Sequence, residues 1–301
     1  MTDWLIKQEE DSFYGKPPEE RSIDELKERG IIILDKPRGP NCKLVDTWVK
    51  QILSIKKCSH GGTLDPSVSG VLIIALNKAT KLMPILLGSE KEYVGALHLH
   101  KDVPESKIKK AVKEFVGKQV QLPPKKSAVA RRERVREVFD LEILDIDKRN
   151  VLFRIHTQAG FYVRRFAEHF GKALGAGAHL QELRRIRSGV FREEDSVNLQ
   201  TIIDNLDKEN EMRKIILPME SVLRSVKKVM ISDGAVDSIA HGSPLYAPGI
   251  LRIEEGIRKE DWVAMITGFG ELIGIGIAKM DSQEMLKSSK GTSVKTDIVV
   301  V

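Results

Sequence analysis

Two short segments carry residue types that can do chemistry together. The first is His60-Gly61-Gly62-Thr63-Leu64-Asp65-Pro66-Ser67-Val68-Ser69-Gly70. Paired glycines let a ligand or another backbone approach closely, because nothing projects from Cα. Pro66 excludes the helical region for Asp65 and holds that carboxylate on an extended piece of loop. Asp65 there can act as a nucleophile or as a base; the bare pattern is equally that of an ordinary Asp-Pro turn. The second is Ala159-Gly160-Phe161-Tyr162-Val163-Arg164-Arg165, at a strand-to-helix junction. An arginine in this place can hold a carboxylate by a forked, charge-assisted pair, and a tyrosine can stack on a base. The competing reading is core packing by Phe161 and Tyr162 with solvated arginines. Tyr93 is one of four tyrosines and, taken alone, reads as core.

Several other chemistries lack their signatures. There is no GxxxxGK[ST] phosphate loop. Gly175-Ala176-Gly177-Ala178-His179-Leu180 begins like a dinucleotide loop, but it has leucine in place of the third glycine and follows a helix. His98 and His100 alternate onto one strand face with Asp102 nearby, yet no third ligand is in view, and a polar strand face is the simpler reading. The two cysteines, Cys42 and Cys58, form no CxxC and no Cys/His set. They read as free thiols in a reducing compartment.

The elements that must position these residues follow from periodicity. Gly30-Ile31-Ile32-Ile33-Leu34 is a buried strand stopped by Asp35-Lys36-Pro37-Arg38-Gly39-Pro40. Leu44, Val45, Trp48, Val49, Ile52 and Leu53 recur at helical spacing. The glycine loop leads into a second apolar strand, Val71 to Leu76, and Glu92 to Leu99 alternates as a strand. Pro104 to Val116 reads as an amphipathic helix with Ile108, Val112, Phe115 and Val116 inward. Two long β stretches, 128–146 and 151–158, precede a helix from Tyr162 to Leu174. Strands and helices mix without a βαβ beat, which predicts an α+β fold with a mixed, largely antiparallel sheet. From Val226 the chain turns to short strands, glycines and Pro-Gly turns, as a small C-terminal β-barrel of about 75 residues would. Three hundred and one residues exceed what one core usually serves. The expected division is an arm over 1–30 packed on the C-terminal domain, a catalytic domain over 31–225 and the barrel over 226–301.

Charge is uneven. The formal net charge is +6, but residues 31–225 hold 35 bases against 24 acids. Positive charge concentrated in one part of a chain points to a polyanionic partner. The densest run, Lys125 to Arg136, has six bases and one acid: Lys125, Lys126, Arg131, Arg132, Arg134 and Arg136 against Glu133. Its Val and Ala interleaving predicts a strand with one apolar face and one face that presents the bases, either to a nucleic acid or simply to solvent. The longest stretch free of Asp, Glu, Lys and Arg, Ser238 to Leu251, is broken by Pro244 and Pro248 and is too short to cross a bilayer. The first residues carry acids where a secretory signal carries bases, so a cytoplasmic protein is expected.

These pieces in this order resemble one family. The loop around Asp65, Lys91-Glu92-Tyr93, Tyr162-Val163-Arg164 and Leu183-Arg184-Arg185-Ile186-Arg187-Ser188-Gly189 are similar to the motifs of the TruB-type pseudouridine synthases. Leu97-His98-Leu99-His100, Pro123-Pro124, Ser127-Ala128-Val129 and Ala178-His179-Leu180-Gln181-Glu182 resemble its archaeal dyskerin-homologue branch, the catalytic subunits of box H/ACA guide-RNA particles. Ile231 to Val236 through Pro248-Gly249-Ile250 resembles a PUA domain.

The resemblance implies isomerisation of uridine to pseudouridine without metal or cofactor. It implies that Asp65 bonds covalently to the target nucleotide, that Tyr93 stacks on the flipped base and takes part in proton abstraction, and that Arg164 pairs with the aspartate. Tyr162 and Leu183 would line the pocket, His60 would touch RNA near the extruded nucleotide, and Lys36 belongs to the motif that supports the loop and is assigned to substrate binding. Implied partners are box H/ACA guide RNA and substrate rRNA or tRNA. The implied particle also holds a small zinc-ribbon-type protein, a glycine-arginine-rich-protein homologue and a kink-turn-binding protein, with no membrane. The alternatives are a stand-alone tRNA pseudouridine synthase and a catalytically silent scaffold of the same particle. The chain departs from the family at Asn41-Cys42-Lys43, where Ser/Thr-Ser-His is usual, at Phe161 for threonine, and at Val190 for proline. It departs also at Lys259-Glu260-Asp261, where Lys-Gly-Asp is usual, so that turn is expected to differ.

Overall fold

The run Gly30 to Lys36 is apolar at almost every position because the strand it forms is covered on both faces. Ile32 and Leu34 enter one core cluster, Ile31 and Ile33 another. The computed structural model that shows this describes residues 3–123, 130 and 132–301. An N-terminal strand, β1 (Trp4–Ile6), is followed by β2 (Gly30–Lys36), β3 (Cys58–His60), β4 (Ser69–Leu76), β5 (Lys91–Leu99), β6 (Gly117–Gln121), β7 (Arg134–Asp147), β8 (Asn150–Thr157), β9 (Ala178–Ser188), β10 (Phe191–Arg192) and β11 (Ile216–Pro218). The larger sheet runs β11-β2-β4-β9-β5-β8-β7-β6, with β3 on β4 and β10 on β9. Its neighbours are antiparallel except β4 and β9, which run parallel at Ser69↔Arg184 and Gly70↔Arg185.

Five helices matter for the site: α1 (Ile23–Arg29), α2 (Cys42–Leu53), α3 (Met83–Gly88), α4 (Glu105–Phe115) and α5 (Val163–Ala173). Helices α4 and α5 meet through Phe115, Phe166 and Phe170, with Phe153 of β8 beneath; the edge-on rings lie 5.1–5.6 Å apart. Val116, expected inward, lies past the end of α4 and is exposed. The basic strand also differs from expectation. β7 starts at Arg134, Val135 is exposed, and Arg134 and Arg136 are half-buried. The alternation is real, but its phase is reversed, because the pairing with β6 (Gln121↔Arg134, Gln119↔Arg136) turns the arginines inward. Lys125, Lys126 and Arg131 lie outside the described residues; Arg132 precedes the strand and is exposed.

The second sheet uses β12 (Lys227–Ile231), β13 (Leu245–Tyr246), β14 (Ile250–Glu254), β15 (Trp262–Ile266), β16 (Leu272–Ala278) and β17 (Thr292–Val299). Its order is β1-β14-β12-β15-β16-β17-β13. β1 therefore pairs with β14, Trp4 facing Glu254. The two sheets share a core in which Ile31, Ile33, Val71 and Ile73 meet Ala264, Ile266, Leu272 and Ile275. In the turn at Lys259-Glu260-Asp261, Glu260 holds φ 70°. That left-handed conformation suits glycine and strains a glutamate by roughly 1–2 kcal/mol. Among the described residues no helix is long and apolar enough to cross a membrane.

Candidate active site

Asp65 sits at the start of a turn in which the Val68 N–H donates to the Asp65 carbonyl at 2.9 Å. The turn is gripped from behind. The Gly39 N–H donates to the Pro66 carbonyl at 2.8 Å. Lys36 donates its Nζ to the carbonyls of Pro37 and Val68 at 2.8 and 2.9 Å. Lys36 is fully buried, and burial pushes its pKa below the ordinary lysine value, while Cys42 and Asp65 nearby oppose that shift. Expected at the substrate, Lys36 instead stands beneath the loop: its ammonium is spent on carbonyls, not presented to the open face.

The departure at residues 41–43 resolves into local structure. Asn41 caps α2, its side chain accepting from the Leu44 N–H. The Cys42 thiol donates to the Leu64 carbonyl at 3.3 Å and accepts from the Leu64 N–H at 3.2 Å, fastening the residue before Asp65 to the first turn of α2. Burial pushes this thiol up, which suits an uncharged packing role. Phe161, where a hydroxyl is usual, is buried in the main core with Tyr93, Leu64 and Leu183.

Gly70 explains how the loop meets β9. It holds φ 102°, and a Cβ there would lie 2.2 Å from the Arg185 carbonyl oxygen. Only glycine allows the two parallel strands to approach in this way. Arg185 itself is 1% exposed. Its guanidinium donates to the carbonyls of Val71 (2.7 Å) and Gly62 (3.0 Å), tying β9 to both ends of the Asp65 segment. Lys91 is buried alongside and donates to the carbonyls of Leu86, Leu87 and Ser89 and to the Ser89 hydroxyl, closing the C-terminus of α3. Burial, with Arg185 adding, pushes its pKa down to about 7.

On the opposite side, α5 begins at Val163 with Tyr162 as its N-cap. Buried Gln121 holds the Tyr162 peptide at both ends, accepting from its N–H at 2.9 Å and donating to its carbonyl at 3.1 Å. This fixes the first turn, from which Arg164 reaches across to Asp65. The contact is end-on, Nη2 to Oδ2, not the forked pair the sequence suggested. Asp65 is 51% and Arg164 45% exposed, so the pair lies in water, not in a dry pocket. A cleft of about 180 Å³ opens here, lined by Asp65, Ser67, Val68, Arg164, Glu168, His179 and Leu183, among others.

Of the expected site residues, the structure thus brings Asp65, Arg164 and Leu183 to one cleft. Tyr93, 9% exposed, lies in the core beneath it with Leu64, Val68 and Leu183. Tyr162 flanks Arg164 in sequence and is half-buried. His60 is on β3, with Nδ1 facing Asp46 Oδ2 at 2.8 Å and Nε2 facing Thr63 Oγ1 at 3.1 Å. Arg132 and Arg134 are not among the residues that line the cleft. His100 meets His179 at 3.0 Å, while Arg149 occupies Asp102; among the described residues no group of three or more His, Cys, Asp or Glu could hold a metal ion. Reading the sequence missed Arg185, Lys91, Gln121, Cys42 and Asp46. Arg185 alone had a usable signal, since it shares strand phase with buried Leu183.

Comparison with known proteins adds an independent line. Residues 50–107 match the family described as TruB family pseudouridylate synthase (N terminal domain). Residues 164–224 match the tRNA pseudouridylate synthase B C-terminal domain and residues 227–300 the PUA domain. A protein of Methanocaldococcus jannaschii named probable tRNA pseudouridine synthase B is 45% identical over 98% of this chain and 90% of its own length. A protein of Methanopyrus kandleri with the same name is 47% identical over 97% of this chain and 88% of its own. Among solved structures, a Cbf5-Nop10-Gar1 complex matches with TM-score 0.93 at 46% identity, covering all of this chain and 94% of that one. An H/ACA RNP bound to a substrate RNA containing 2′-deoxyuridine matches with TM-score 0.92 at 44% identity, covering all of this chain and 95% of that one.

Proposed function

The chain belongs to the TruB family of pseudouridylate synthases, with a C-terminal PUA domain, and from that premise we propose that it isomerises uridine under the direction of a box H/ACA guide RNA. The observation that carries the reading is the Arg164–Asp65 contact at an open cleft, set within a chain that matches over its full length a chain of an H/ACA RNP bound to a substrate RNA.

In this reading the Asp65 carboxylate bonds to the target nucleotide as the C1′–N1 bond breaks. The freed base rotates and C5 displaces the Asp65 carboxylate, so that the ester bond to C1′ breaks as the C1′–C5 bond forms. The C5 proton leaves and N1 gains one, so atoms and charge balance without redox change and Asp65 is returned as a carboxylate. A uridine cannot reach such a group inside a stack, so it is flipped out. The Tyr93 ring offers an aromatic face under the cleft and an oxygen for the C5 proton. Arg164 holds the carboxylate in place. Because Asp65 and Arg164 are half exposed in the free protein, bound RNA supplies the cover that excludes water. Leu183 and Tyr162 border the base, and His60 contacts RNA beside it. Lys125, Lys126, Arg131, Arg132 and Arg134 provide phosphate contacts, so binding weakens as salt rises.

The domain division proposed is 1–30, 31–225 and 226–301, the first serving the third through β1 on β14. Nop10 and Gar1 chains in the similar complex support the small zinc-ribbon-type and glycine-arginine-rich partners, with the kink-turn-binding protein completing the particle. Target sites are in rRNA and tRNA, and the working compartment is the cytoplasm. The curated relatives' name favours a second reading, direct action on tRNA. Tritium release from RNA labelled at uridine C5 separates the two. Release only at the guide-complementary uridine, with guide and partners present, supports guidance. Release from tRNA by the protein alone supports the second reading, and no release with guide RNA still bound leaves a silent scaffold.

A further inference from the structure

We propose that Asp46, on α2, is a positioning residue that sets the tautomer and orientation of His60 and, through His60, the path of the loop leading to Asp65. This rests on the reading of that loop as the catalytic one. Asp46 lies one helical turn beyond Cys42, so the two side chains share a face of α2. Cys42 fastens Leu64 by its thiol; Asp46 fastens His60, at the other end of the same segment. Helix α2 therefore grips the loop at both ends.

The chemistry of the contact fixes the ring. An ionised carboxylate only accepts, so His60 Nδ1 carries the proton that Asp46 Oδ2 receives at 2.8 Å. In the neutral ring Nε2 is then an acceptor, and the Thr63 hydroxyl at 3.1 Å donates to it. The result is a carboxylate–imidazole–hydroxyl relay ending two residues before Asp65, with a single ring orientation and a single tautomer. Both members of the pair are largely buried, at 15% and 17% exposed. The other carboxylate oxygen of Asp46, Oδ1, has no partner among the described residues, so the side chain serves His60 alone. The thiol of Cys58 donates to the Asp46 main-chain carbonyl, a contact that side-chain substitution leaves in place. Nothing in the composition of the 60–70 loop points to residue 46; only the fold brings it there.

The test compares Asp46→Ala, Asp46→Asn, His60→Ala and the double Asp46→Ala/His60→Ala variant. Each is assayed as the enzyme exists in its converting state, by single-turnover conversion at saturating RNA and by RNA affinity. Asp46→Ala is expected to slow conversion roughly 10- to 100-fold, to match His60→Ala within about threefold, and to add little in the double variant. Asp46→Asn, whose amide oxygen still accepts from Nδ1, is expected to recover most of the rate. In ¹⁵N spectra of the free protein at pH 8.5, wild type should show His60 protonated at Nδ1 and bare at Nε2, and Asp46→Ala should lose that asymmetry. An additive double variant, a wild-type rate in Asp46→Ala beside a slow His60→Ala, or a ring protonated at Nε2 in wild type would each overturn the proposal. A wild-type rate in His60→Ala overturns it too, and that result faults the role given to His60, whereas a fully active Asp65→Ala faults the catalytic reading itself.

Discussion

Arg164 meets Asp65 with both side chains about half exposed, whereas Arg21 meets Glu220 and Glu271 with its guanidinium 2% exposed. Both are arginine–carboxylate contacts, and both join segments distant in sequence. At the shared core between the two sheets, Arg21 holds Glu220 with two nitrogens at 2.8 and 2.9 Å and Glu271 at 3.2 Å. Arg29 adds a further bond to Glu271, and the Leu272 N–H donates to Glu220. Both oxygens of Glu220 and one of Glu271 accept from these groups. The Asp65 carboxylate has one end-on partner and an open side. The difference is one of purpose: a desolvated, many-bonded network fixes geometry, while a lightly held carboxylate at a cleft is available to a substrate.

The sharpest way to break this comparison is Asp65→Ala, expected to lower conversion by about 10⁴-fold or more. Its thermal midpoint should barely move, because an exposed pair contributes under about 1 kcal/mol. Conversion assays and calorimetry on the same preparation check both halves. Arg21→Met is expected to do the reverse, destabilising the fold by roughly 3–5 kcal/mol as two acids lose their partner, while turnover per folded molecule at 20 °C stays near wild type. Denaturant titration beside the conversion assay decides it. Arg164→Met falls between in rate, with a loss of about 10²- to 10³-fold and no loss of stability beyond about 0.5 kcal/mol.

A fourth test concerns the buried cation beneath the loop. Lys91 is pushed down to about 7 in the fold, against roughly 10.4 for a lysine in an unfolded chain. Between these values the unfolded chain holds the proton that the folded chain gives up, so the contribution of Lys91 to stability rises with pH from 7 upward, by up to about 1.4 kcal/mol per unit. Urea midpoints from pH 7 to 9 should therefore rise more steeply in wild type than in Lys91→Met. Equal slopes would show that its four oxygen partners keep the ammonium charged.

How much of this was legible in the sequence depended on whether the cause was local. Strands β2, β4 and β5 and helices α2 and α5 were legible because burial sets a period that the residues themselves display. The inverted phase of β7 was not, since Val135 and Arg136 exchange faces through pairing with β6, which no window on the strand reveals. Asp65, Arg164 and Leu183 converge as their motifs implied. Lys36 looked like a substrate group because a lysine in a motif is ambiguous until its burial is known. Gln121, Asp46 and Cys42 each act on the main chain or ring of one distant residue, across 41, 14 and 22 positions, and a lone polar residue carries no pattern. Glu260 shows the converse: its departure from glycine was visible, yet not that the backbone there is left-handed, a conformation that suits glycine.

The pairing of Trp4 with Glu254 has a consequence for synthesis. Strand β1 is made well before the rest of its sheet, so it waits through some 250 residues of elongation for β14, over ten seconds at usual rates. During that wait Trp4 and Leu5 lack the β14 strand that will cover them, and they are surfaces for a chaperone or for misassembly. The catalytic half can fold meanwhile, since none of its strands pairs with β1. The second sheet is thereby completed only after the strands of the larger sheet have been made.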